Sequence, residues 1–247
     1  MSDSGRVRTE PGAKRVRVML AGRVVADTTS PLLVWEVPYY PTYYFPEADV
    51  DTDSLVETGE TVSSPSRGVA TQYTVKVDGS EGVAYSYLSP KIDTLARHYA
   101  FVWPTMDHWF EEDEEVFVHA RDPYTRIDIL PSGRRVRVEV DGVTVADSTN
   151  GSFLYETHLP TRYYLPKTDI RMDLLTATDL ATACPYKGRA RYWSVTVGGE
   201  THENVAWAYD SPLPESQKIL GLISFYNEKV DVYLDEVLQE RPKTKFS

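Results

Sequence analysis

Shifted by 120 residues, the chain matches itself. Arg15-Val16-Arg17-Val18 falls on Arg135-Val136-Arg137-Val138, Gly22 on Gly142, and Val25-Ala26-Asp27 on Val145-Ala146-Asp147. The same shift pairs Glu36 with Glu156, Tyr43-Tyr44 with Tyr163-Tyr164, Asp49 with Asp169, Pro65 with Pro185 and Gly68 with Gly188. Further along it slips to 122, where GVAYSY (82–87) meets NVAWAY (204–209). It then slips to 124, where Ala100-Phe101 meets Ser224-Phe225 and Asp107 meets Asp231. The matched order never breaks. A period this long fits a whole small domain rather than a solenoid unit. The chain is therefore read as a tandem duplication, with a first module over 1–118 and a second over 119–247. Between the matching blocks, Glu111 to Glu115 reads as a solvated edge or linker, and Val116-Phe117-Val118 as a strand crossing between modules.

Within each module the hydrophobic period is two. In Arg135-Val136-Arg137-Val138-Glu139-Val140 the valines share one face and the charges the other, as in a half-buried strand. Asp141-Gly142 follows as a hairpin turn, and Val143 to Ala146 returns as its partner. Tyr192 to Val197, Gly198-Gly199 and Val205 to Tyr209 repeat the pattern of strand, turn and strand. Val230 to Leu234 alternates again. One short helix is expected from Pro214 to about Leu222. The predicted fold class is mainly β, with a small sandwich or barrel in each module.

A net charge of −11 argues against nucleic acid, whose phosphates demand clustered Lys and Arg, and against an anionic membrane surface. No stretch reaches the roughly 18 apolar residues of a membrane span. Cys184 is the single cysteine, so no internal disulfide can form, which suits a reducing compartment. A cytoplasmic location is the plain expectation. Tyr supplies 17 residues, an abundance suited to packing or to stacking a ligand.

At Cys184-Pro185-Tyr186-Lys187-Gly188, followed by Ala190, Tyr192-Trp193 and Trp207-Ala208-Tyr209, the second module resembles the DUF427 family, a domain of unknown function also labelled nucleotidyltransferase-like. Val145-Ala146-Asp147-Ser148, Glu156, Tyr163-Tyr164-Leu165-Pro166, Asp169 and Phe225-Tyr226-Asn227 extend the likeness. The resemblance implies a compact, mainly β fold and no established reaction. The first module departs from it at the most distinctive point, reading Ser64-Pro65-Ser66-Arg67-Gly68. It also has Tyr73 for Trp193 and Tyr85 for Trp207. Any function of the loop is therefore expected in the second module.

The candidate ligand-binding residues are Glu156, Tyr164, Cys184, Tyr186, Lys187, Trp193 and Trp207. Lys187 and Glu156 are polar handles, and the rings are walls for a small aromatic or heterocyclic molecule. Alternation puts Trp193 on the opposite strand face from Tyr192, so some of the rings must be core. Against these roles stands plain structure: a buried thiol, a solvated loop lysine and core aromatics. An enzyme using Lys187 or Cys184 with Glu156 is the second reading. A protein-interaction role, with the two modules packed as a pseudo-twofold pair, is the third. Asp147 and Asp169 read as structural turn caps. No cofactor or metal is expected. The five histidines show no ligand spacing, and Ser54 replaces the glycine that a calcium loop over Asp49, Asp51 and Asp53 needs. Polymerase-type nucleotidyl transfer is disfavoured, because neither Gly151-Ser152 nor Gly79-Ser80 opens a helix followed by paired carboxylates.

Overall fold

The computed structural model describes residues 7–244, and the chain divides between Asp122 and Pro123 into two units. The first unit contains β1 (Arg8–Pro11), β2 (Val16–Leu20), β3 (Arg23–Thr28), β4 (Leu32–Val37), β5 (Tyr40–Pro46), β6 (Leu55–Ser64), β7 (Gly68–Val77), β8 (Ser80–Ser86), β9 (His98–Phe101), β10 (His108–Glu111) and β11 (Glu114–Glu115). The second contains β12 (Ile127–Ser132), β13 (Val136–Val140), β14 (Val143–Ser148), β15 (Gly151–Glu156), β16 (Arg162–Leu165), β17 (Leu175–Cys184), β18 (Gly188–Val197), β19 (Glu200–Pro212), β20 (Ile223–Phe225), β21 (Asp231–Leu234) and β22 (Val237–Leu238).

Each unit has a seven-stranded and a four-stranded sheet. The orders are β1-β4-β5-β9-β8-β7-β6 with β11-β10-β2-β3, and β12-β15-β16-β20-β19-β18-β17 with β14-β13-β21-β22. Adding eleven to each label of the first unit reproduces the second. The duplication seen in the sequence is thus a duplication of topology, and neither copy closes into a barrel. Among the described residues, no helix is long and apolar enough to cross a membrane.

Local chemistry explains the elements. Val136, Val138 and Val140 are buried while Arg137 and Glu139 face outward, and Asp141 and Gly142 take φ of 49° and 75°. Two successive left-handed residues match the twist of the flanking strands. The valines of β13 pack against Phe153, Trp193, Val195 and Phe225 of the long sheet to form the inter-sheet core. The other face of the long sheet carries a second cluster of Leu154, Tyr164, Tyr192, Trp207 and Tyr209, with Ile219 packed against it.

Several expectations are corrected. The short helix is a 3-10 turn over Pro214–Ile219, with Pro214 in its first turn. Val116-Phe117-Val118 forms no strand. The chain there brings Ala120 into the first core and Asp122 against Trp35, whose Nε1 donates to it at 2.7 Å. Glu111 is no solvated linker residue. It is buried at the end of β10, where it accepts from the Tyr43 hydroxyl and from Lys14, each at 2.6 Å. Asp147 and Asp169 are structural by other means than capping. Arg135 grips Asp147 with two nitrogens at 2.8 and 2.5 Å, and the Ser148 hydroxyl donates to Asp169 at 2.6 Å. Arg15–Asp27 and Thr28–Asp49 repeat both contacts in the first unit.

Candidate functional site

Strand register assembles the site. Tyr164 of β16 lies opposite Ser224 of β20, Ser224 opposite Trp207 of β19, and Trp207 opposite Tyr192 of β18. Residues directly opposed in a sheet share a face, so these four form a row across the outer face of the long sheet. Tyr226 lies over the row, its ring 4.4 Å from that of Trp207 and 6.5 Å from that of Tyr192. Trp193, one residue along from Tyr192, points the other way into the inter-sheet core. Of the candidates, it is the one that belongs to the inter-sheet core.

The Cys184–Gly188 segment closes the β17–β18 hairpin beside this row. Gly188 has a φ of 97°, and a Cβ there would come within 3.1 Å of the Ser211 carbonyl. Only glycine meets both conditions without strain. The tight turn aims Lys187 inward, where its Nζ donates to Glu156 Oε2 at 2.5 Å. The two side chains are only 9% and 8% exposed. Ser216 of the 3-10 turn donates to the Tyr186 carbonyl at 3.2 Å and fixes the loop. Half-buried Tyr186 and Cys184 stand at its edge, and Cys184 packs against the aromatic cluster.

Burial dominates the electrostatics. It pushes the Tyr164 phenol well above its ordinary ionisation range. The bond from Trp207 Nε1, at 3.0 Å, works against that shift, and the Glu156 charge adds to it. Tyr209 is likewise raised, first by burial and then by the neighbouring Tyr164 and Cys184. A second buried ion pair, which sequence reasoning missed, flanks the row: Arg162 bonds both oxygens of Glu228 at 2.6 and 2.7 Å. The Arg162 guanidinium also lies 5.5 Å from the Trp207 ring and 5.6 Å from that of Tyr226. The Phe225-Tyr226-Asn227 string was the available signal, since Glu228 follows it directly.

The first module repeats the central pair with different residues. Arg67 Nη1 meets Glu36 Oε2 at 2.8 Å, so Arg67 stands where Lys187 stands in the second module. The departure in the loop preserves the cation. The surroundings differ. Tyr44 and Tyr85 both donate to Glu36 Oε1, at 2.6 and 3.0 Å, and Arg67 Nε donates to the Tyr87 hydroxyl at 2.9 Å. In the second module Trp207 replaces Tyr85, and Tyr164 accepts from it instead of donating to the carboxylate.

A family model described as a domain of unknown function, DUF427, matches residues 8–112 and again residues 128–236. The chain belongs to the DUF427 family. No curated protein matches it. Both DUF427 domains hold the carboxylate–cation pair, one as Glu36–Arg67 and the other as Glu156–Lys187. In the second DUF427 domain Gly151-Ser152 opens strand β15, and in the first Gly79-Ser80 leads into β8. Neither dipeptide starts a helix that would present phosphate-binding amides.

Proposed function

We propose that the second DUF427 domain binds a small planar molecule at the Glu156–Lys187 pair, above the Tyr164–Trp207–Tyr192 row. What supports this reading is the contrast in hydrogen bonding between the two domains. Around Glu36 the protein meets its own demands: Oε1 takes two phenols, Oε2 takes Arg67, and Arg67 reaches Tyr87. Around Glu156 it does not. Among the described residues, Glu156 Oε1 accepts no bond, and the Tyr164 and Tyr209 hydroxyls have no acceptor. The Ser224 hydroxyl is buried without a partner.

The Ser224 hydroxyl, fully buried, costs about 1–3 kcal/mol if left unmet. A guest with an N–H beside a carbonyl or ring nitrogen would answer the other groups, donating to Glu156 Oε1 and accepting from Tyr164 or Tyr209. Half-buried Tyr226, whose ring lies over the row, suits its flat face. Because the Glu156 and Lys187 charges cancel, an uncharged heterocycle fits better than an ion.

Thermal unfolding against a panel of lactam-type and related heterocycles tests this, using wild type, Lys187→Met and Glu156→Gln. A compound that raises the wild-type midpoint and leaves both variants unmoved supports the site. A flat wild-type response across the panel, or equal shifts in all three proteins, refutes it. An enzymatic use of Glu156 with Lys187 or Cys184 would show as turnover of the bound compound, lost in Glu156→Gln.

A further inference from the structure

Two hairpin tips of the second module carry a different chemistry. Asp141 begins the turn between β13 and β14, and Glu200 and His202 begin β19 just after the Gly198-Gly199 turn. Glu200 lies opposite Val197, and His202 opposite Val195. Both valines belong to the inter-sheet core, so Glu200 and His202 are on the face that looks toward the short sheet, from which Asp141 comes. The ligand atoms of the three residues lie within 4.8 Å of one another, and His202 Nε2 is 2.6 Å from Asp141 Oδ2.

We propose that Asp141, Glu200 and His202 bind a divalent transition-metal ion of the zinc class, which bridges the two sheets of the second module. One imidazole and two carboxylates are a borderline donor set that suits zinc better than the all-oxygen preference of magnesium or calcium. Their two negative charges balance the ion. Zinc bonds of about 2.1 Å set tetrahedral donor atoms about 3.4 Å apart, so the ion would part His202 and Asp141 from their 2.6 Å contact and draw the more widely spaced atoms of the set together. Asp141 and Glu200 are exposed and His202 is half-buried, on a hairpin turn and at the start of a strand, which leaves water free to complete the coordination. The motif is specific to this copy. The same register in the first module offers Ala21, Ser80 and Gly82, none of which is a zinc ligand, and the Met106 side chain packs against Gly82 there. Spacing along the chain hides the set, because Asp141 and His202 are 61 residues apart.

Zinc chloride titrated into the full chain by calorimetry, with thermal unfolding alongside, tests the site. The expected result is one zinc per chain with micromolar affinity and a raised unfolding midpoint. His202→Ala and Asp141→Asn are each expected to weaken binding by about tenfold or more, while Cys184→Ala leaves it unchanged. Unfolding of each variant without zinc checks that it is folded. No heat and no midpoint shift at millimolar zinc would overturn the proposal. So would binding of unchanged strength in His202→Ala, which would place the ion elsewhere.

Discussion

Trp207 donates its indole N–H to the Tyr164 hydroxyl oxygen at 3.0 Å, and this bond separates the two buried networks. In the first module the matching residue is Tyr85, which joins Tyr44 on Glu36. The Trp207 N–H is used on Tyr164 and the Tyr164 hydroxyl makes no bond to Glu156, so Glu156 lacks the two donors that Glu36 Oε1 has. Trp207 in place of Tyr85, together with Lys187 in place of Arg67, thus turns a self-contained network into one with capacity left over.

Lys187→Met should destabilise the second module by about 3–5 kcal/mol, because it strands the Glu156 charge in a buried site. Lys187→Arg is expected to be mild, since Arg67 holds the equivalent place beside Glu36. Removing both charges, with Lys187→Met and Glu156→Leu together, should recover most of the loss. Urea unfolding of the three proteins measures this. A double variant as unstable as Lys187→Met would mean that the pair itself stabilises the fold.

Acid should weaken the second module through Glu228. Burial favours its neutral form, but bonds from Arg162 and Thr244 outweigh that and hold the carboxyl below its ordinary 4.5. A folded-state value below the unfolded one gives stability that is present above the unfolded value and lost as pH falls through the folded one. The unfolding midpoint is therefore expected to drop as pH goes below about 4.5. The fall should be shallower in Glu228→Gln, with the remainder belonging to groups such as Asp27 and Asp147, which their arginines also hold low.

Alkali should act through the tyrosines. Burial, before any neighbouring charge, raises Tyr44, Tyr85, Tyr164 and Tyr209 above the usual 10. A raised folded-state value gives stability that is present below the unfolded value and lost as pH climbs toward the folded one. Phenolate absorbance should rise in two stages, exposed rings first and these four only with cooperative unfolding. Full titration with the far-ultraviolet dichroism intact would contradict it.

Asp122→Ala should cost the first module about 1–3 kcal/mol by leaving the buried Trp35 N–H without its acceptor. Asp122→Asn retains an acceptor oxygen and should cost less. Thermal unfolding, followed by tryptophan emission, distinguishes the two.

What was legible in the sequence is what is local or periodic. The strand faces of β13 follow from Val136, Val138 and Val140, the hairpin from Asp141-Gly142, and the two-copy plan from the repeat. Less legible was anything that depends on residues far apart. Glu111 looks solvated within its acidic run, yet its partners Tyr43 and Lys14 lie 68 and 97 residues away. Val116-Phe117-Val118 has the composition of a strand, but the need to carry Ala120 and Asp122 onto the first core overrides that preference. In the site, Glu156 and Lys187 were visible as residues but not as a contact. The Arg67 substitution looked like drift until the cation was seen to keep its place.

The identical strand orders have a kinetic consequence. During refolding, β7 meets two hairpin arms of the right length and register pattern, β6 from its own copy and β17 from the other. Such exchange between repeats is a recognised route to trapped, misassembled chains. The arms differ at paired positions such as Glu57 opposite Tyr73 against Ala177 opposite Trp193, and in the irregular stretch that follows, where β6 has Gly59-Glu60 and β17 has Asp179-Leu180. Divergence between the copies is expected to act as proofreading, favouring the native partner of each strand over its counterpart in the other copy.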